Sequence, residues 1–241
     1  MIEIKNVSKS YNKGQTKAVD DLSLNIRDGE IFGFLGPNGA GKTTTIKMMT
    51  GILNADSGSI SLNKYDIKKD PISAKMQMGY VPDNPDIYNK LKGIEYLNFM
   101  ADVYEVPSNI RRDRIKSLLE RFDLLDSSDD LIQSYSHGMK QKIVVIGALI
   151  NNPPVWILDE PLTGLDPKSA FTLKEMMKEH AAQGKTVFFS SHVLEVIEKL
   201  CDRIGIINKG KLVFCGTIDE INEYASGDES FEKIFLEMTE K

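Results

Sequence analysis

The chain is poor in cysteine, with only Cys201 and Cys215 in 241 residues. Two thiols outside any cluster of metal-ligating residues make neither a disulfide framework nor a zinc site, and they point to a reducing compartment. Long hydrophobic runs are also missing. The longest, from Ile143 to Ile150, is interrupted by Gly147 and falls far short of the roughly 20 residues that cross a bilayer. The opening stretch MIEIKNVSKSYNKG has no apolar signal-peptide core, so the expectation is a chain that is neither exported nor membrane-spanning. Positive charge is not in excess either. The formal net charge of −5 argues against a general nucleic-acid binder, and no nucleic-acid partner is expected.

What remains is an ordinary globular composition, 41% hydrophobic and 27% charged, with no repeat and no low-complexity linker. The length corresponds to roughly 1.6 average domains and buries a core without staples. Ile2 and Ile4, then Leu22, Leu24 and Ile26, alternate with polar residues, which predicts half-buried antiparallel strands. Four uninterrupted apolar runs, at 31–35, 155–158, 186–190 and 204–207, read instead as fully buried strands. Separated by helical stretches, they predict an α/β layout with a mostly parallel sheet. Between 83 and 152 the pattern changes. Ile94, Leu97, Ala101 and Tyr104 recur at helical spacing, as do Ile115, Leu118, Leu119, Phe122 and Leu125. This predicts a helical lobe inserted into the core, with Pro153 and Pro154 marking the return. Near the end, Phe231, Ile234, Phe235 and Met238 share one face of a helix that docks back on the body.

The chemistry is concentrated in two places. Gly36-Pro37-Asn38-Gly39-Ala40-Gly41-Lys42-Thr43-Thr44 satisfies G-x-x-x-x-G-K-[ST] directly after the first buried strand. Such a loop turns its backbone N–H groups inward on a phosphate. Lys42 adds charge for the β- and γ-phosphates, the Thr43 hydroxyl can ligate Mg²⁺, and a helix starting near Gly41 contributes its positive end. This is a nucleoside triphosphate site. The second place is the end of Val155-Trp156-Ile157-Leu158, which delivers Asp159 and then Glu160. Adjacent strand-end residues point in different directions, so one acid can serve the metal while the other polarises a water. Asn63-Lys64-Tyr65-Asp66 imitates the guanine-reading N-K-x-D, but it precedes Asp159 and sits beside a hairpin-like stretch. It is read as a turn.

With these residues in view, the chain resembles the ATP-binding subunits of ABC transporters from about Ile2 to Thr217. Further motifs match in order: Tyr11, Asp83 in Gly79-Tyr80-Val81-Pro82-Asp83, Tyr135-Ser136-His137-Gly138-Met139, Leu165-Asp166, and His192 after 186–190. The resemblance implies a P-loop core with an N-terminal antiparallel β subdomain and an inserted helical subdomain at about 83–152. Residues 1–217 would be the ATP-binding domain and 218–241 a short helical extension. It implies that Tyr11 stacks on adenine, Asp83 joins Thr43 and Asp159 around Mg²⁺, and Lys42, Glu160 and His192 act in hydrolysis. Ser136 and Gly138 would contact the ATP of a second subunit, and Asp166 would couple the two.

By the same resemblance, the partners are a transmembrane permease on a separate chain and a second nucleotide-binding subunit, in a homodimer or pseudo-dimer. The place is the cytoplasm, peripheral at the inner face of the cell membrane. His137 and Met139 depart from the family's usual glycine and glutamine, and the pattern Y-S-x-G-M-K-Q is similar to the export-type ABC-2 branch. Asp83 stands where glutamine or glutamate is usual; it keeps an oxygen for metal but reaches less far and cannot donate a hydrogen bond as glutamine can. The alternative function, a soluble ABC-type ATPase acting on ribosomes or DNA, is expected to bring a second such domain or a long coiled coil. Neither is in this sequence.

Overall fold

The structure is a computed structural model that describes residues 1–224 and 230–240. The chain begins with β1 (Ile2–Tyr11), β2 (Thr16–Ile26) and β3 (Ile31–Leu35), then α1 (Lys42–Met49), β4 (Ser57–Leu62), β5 (Tyr65–Asp66), α2 (Pro71–Met76) and β6 (Met78–Val81). Three helices follow, α3 (Gly93–Val103), α4 (Ser108–Arg121) and α5 (His137–Leu149). The chain then returns as β7 (Val155–Asp159), α6 (Pro167–Ala182), β8 (Thr186–Ser191), α7 (Leu194–Leu200), β9 (Arg203–Asn208) and β10 (Lys211–Gly216). It ends in α8 (Ile218–Tyr224) and α9 (Phe231–Thr239).

Two sheets form. The first, ordered β2-β1-β4-β5, is antiparallel throughout. The second is ordered β10-β9-β3-β8-β7-β6, parallel except for β10 against β9. The uninterrupted apolar runs become central strands because both faces of this sheet are covered. Phe32, Phe34, Ile157 and Phe188 point towards the antiparallel sheet and α1, while Leu35, Trp156, Leu158 and Phe189 join a larger core with the helices. Within the first layer Phe188 stacks on Phe32 at 6.0 Å between ring centroids and meets Phe34 at 5.5 Å.

The helices of 83–152 follow the expected periodicity with one difference. The α4 pattern does not continue to Leu125. Asp123 adopts a left-handed φ of 52°, which ends the helix at Arg121 and leaves Leu125 exposed. Tyr96 is buried against Gly147 of α5, whereas Tyr88 and Phe99 lie on the surface in an edge-to-face pair at 5.6 Å. Asn63 and Lys64, at φ 47° and 78°, make the tight turn between β4 and β5, and the Asn63 amide donates to Gln77. That turn accounts for the guanine-like motif. As expected, α9 docks on the body. Phe231 and Ile234 are buried, and the Asn208 amide donates to the carbonyls of Met238 and Thr239.

Candidate nucleotide site

Strand order assembles the site. Leu35 on β3 pairs with Ser191 on β8, Ser190 pairs with Asp159 on β7, and Leu158 pairs with Val81 on β6. The carboxyl ends of four neighbouring strands therefore release the P-loop, His192, Asp159-Glu160 and Asp83 side by side, at the edge where ligands of open α/β sheets bind.

The P-loop joins β3, buried at all five positions, to α1. Gly41 has φ 115°, and a Cβ there would come within 2.4 Å of the Ala18 carbonyl oxygen, so only glycine permits this close approach of β2. A cavity of about 220 Å³ is lined by Pro37, Asn38, Gly39, Gly41, Lys42, Thr43 and Thr44, with Ala18, Asp83 and Glu160 completing the wall. Lys42 is 8% exposed, and its ammonium donates to the carbonyls of Gly36 at 2.6 Å and Pro37 at 3.3 Å. Burial lowers its pKa, and the charges of Glu160 and Asp159 oppose that shift.

Asp159 is buried at the end of β7, and burial raises its carboxyl above the usual range against hydrogen bonds from Ser190 and Thr43. Glu160 follows in a left-handed conformation, φ 47°, with its N–H donating to Ser190 Oγ at 3.0 Å. Its carboxylate Oε2 lies 2.9 Å from His192 Nδ1. Thr43, Asp159 and Asp83 offer only hard oxygen donors. Among the described residues no group of three His, Cys, Asp or Glu could hold a metal alone. That set fits Mg²⁺, which is usually bound through one or two carboxylates plus substrate phosphates.

Other expected residues lie outside the cavity wall. Ser136 caps α5, accepting from Met139 N–H at 3.2 Å, and Gly138 follows in the first turn. Asp166 caps α6, accepting from Ser169 N–H at 3.0 Å and Ser169 Oγ at 2.6 Å, and pairs with Lys142 of α5 at 3.1 Å. The Ser169 bonds, then Lys142, hold its carboxyl well below the usual carboxylate range. A side chain at Gly164, φ 76°, would run into the His137 ring, so the start of α5 and the turn before α6 are packed together. Tyr11 ends β1 partly exposed, paired with Thr16, and is not part of the wall. Sequence reading missed Ser190; its signal was a polar residue closing an otherwise apolar strand.

A family profile described as ABC transporter matches residues 19–163, more than half of the chain. The chain belongs to that family. This ABC protein is 38% identical over 228 residues to the linearmycin resistance ATP-binding protein LnrL of Bacillus subtilis, covering 95% of this chain and 73% of LnrL. It is 34% identical to the Nod factor export ATP-binding protein I of Ralstonia nicotianae, over 94% of this chain and 70% of that protein. A solved structure of an ATP-binding subunit of an ABC transporter superposes with a TM-score of 0.94 at 32% identity, covering 99% of both chains. The chain spans 59% to 73% of the lengths of three curated relatives. By family this is an ATP-binding protein of the ABC ATPase class. Among its described residues no helix is long and apolar enough to cross a membrane.

Proposed function

We propose that this ABC protein is the ATP-hydrolysing subunit of an exporter, seated at the inner face of the cell membrane on a separate permease chain. Residues 1–217 form its catalytic domain, with 83–152 as the inserted lobe and 218–241 as an extension. The observation that carries the reading is the contact between Glu160 and His192 at the rim of a P-loop cavity. Export is supported by relatives named for linearmycin resistance and Nod factor export. The exposed Tyr88–Phe99 pair suits a permease contact; buried Tyr96 does not.

The cavity, about 220 Å³, is smaller than the roughly 300–1,000 Å³ of a ligand pocket, which suits a half-site. In this reading two copies, or one copy and a homologue, close over two ATP molecules. Lys42 and the backbone N–H groups of residues 38–44 bind the β- and γ-phosphates, and Tyr11 stacks on the base. The Ser136 hydroxyl and Gly138 amide of a second copy meet the γ-phosphate at a helix N-terminus. Thr43, Asp159 and Asp83 would hold Mg²⁺, which when bound neutralises phosphate charge. Glu160 orients the attacking water and accepts its proton as the new O–P bond forms and ADP leaves. His192 holds the Glu160 carboxylate and meets Asp166 of the second copy. ATP favours the closed pair, and its cleavage releases it.

Glu160→Gln tests this. The variant should bind ATP, lose roughly 10²- to 10⁴-fold in phosphate release, and elute as a nucleotide-bound dimer on gel filtration. Wild-type turnover would refute the role given to Glu160.

A further inference from the structure

Ser190 is fully buried at the fifth position of β8, directly opposite Asp159 in the parallel pairing with β7. Its Oγ donates to Asp159 Oδ1 at 2.6 Å and accepts the Glu160 N–H at 3.0 Å. A serine hydroxyl has one proton, so its donor capacity is spent on one acid and its acceptor is engaged by the backbone of the other. Register explains the arrangement. Asp159 and Ser190 are the last paired residues of β7 and β8. Beyond them Glu160 turns away at φ 47°, a region uncommon for residues other than glycine. Its N–H leaves the ladder and takes the serine oxygen instead. That same turn aims the Glu160 carboxylate at His192. The next serine, Ser191, points to the opposite face of the strand, where its hydroxyl accepts from Val193 N–H at 3.1 Å.

We infer that Ser190 is a positioning residue for ATP hydrolysis: one hydroxyl ties the Asp159 carboxylate to the Glu160 backbone, so that the acid on the metal side and the acid on the water side hold a fixed spacing. The inference rests on the roles proposed above for Asp159 and Glu160. Ser190 lies outside the lining of the P-loop cavity and acts through these two residues. Replacing it by alanine removes both bonds without changing any residue of the P-loop.

The test uses full-length Ser190→Ala and Ser190→Cys beside Glu160→Gln, with ATP stoichiometry and Kd from equilibrium dialysis and kcat from phosphate release. Ser190→Ala should bind one ATP per chain with Kd within about threefold of wild type, while kcat falls roughly 10- to 100-fold, the scale expected when a catalytic group is misplaced by about 1 Å. Ser190→Cys, similar in size and a weak donor, should fall between. A folded Ser190→Ala with kcat within about threefold of wild type overturns the assignment, as does a loss of kcat matched by an equal loss of binding-competent protein. If Ser190→Ala does not fold, Ser190→Cys decides by the same comparison. Failure of both to fold overturns the assignment in favour of a purely structural role. Should Glu160→Gln retain turnover, the site reading itself fails. Should Glu160→Gln lose turnover while Ser190→Ala keeps it, only the role of Ser190 fails.

Discussion

His180 shows what one buried ring does to the whole chain's response to acid. It sits on α6 edge-on to Trp156, with ring centroids 5.5 Å apart. Burial, then the charge of Lys185, lowers its pKa from 6.5 to about 4, although a hydrogen bond to the Pro153 backbone opposes the shift. The imidazole is therefore neutral in the fold while the unfolded chain protonates near pH 6.5. Its contribution is fully present above that pH and is lost as pH falls towards 4, by on the order of 3 kcal/mol in total. His180→Leu should flatten the acid-side dependence of stability between pH 6.5 and 4, measured by urea denaturation at several pH values. Curves parallel to wild type would count against this account.

Among the elements, β3 and β8 lie side by side in the parallel sheet and share aromatic packing on one of its faces. Phe188 is fully buried between Phe32 and Phe34, so Phe188→Ala should cost about 3–5 kcal/mol, read as a lower denaturation midpoint with an unchanged slope. These strands were legible because burial on both faces writes an unbroken apolar run into the sequence. The P-loop was legible because its chemistry is contained in nine consecutive residues. Leu125 misled because helical spacing persists past a residue whose backbone leaves the helix at Asp123. Ser190 was legible only as a polar residue at the end of an apolar run, not as a partner of the two acids. Its meaning depends on the register between β7 and β8, strands separated by α6, and no local pattern encodes that pairing.

At the scale of the molecule, the residues expected to meet a phosphate divide into two groups. Lys42, Thr43, Asp83 and Glu160 share one cavity, while Ser136 and Gly138 lie outside its wall. If the second group serves another copy, mixing Lys42→Ala chains with Ser136→Ala chains should restore activity. In a hybrid pair one site carries both lesions and the other is intact. Recovery to roughly a quarter of wild-type turnover follows if about half of the pairs are hybrid. Activity no higher than either variant alone would argue against shared sites.

The chain's lone tryptophan, Trp156, is sealed in β7 three positions before Asp159 and beside His180. Its indole is therefore an internal fluorophore at the root of the strand that carries the acids. Its emission should lie to the blue in the folded protein and shift to the red when the strand is exposed. Since protonated imidazole quenches indole, its intensity also follows the charge on His180, and neither readout needs an attached dye.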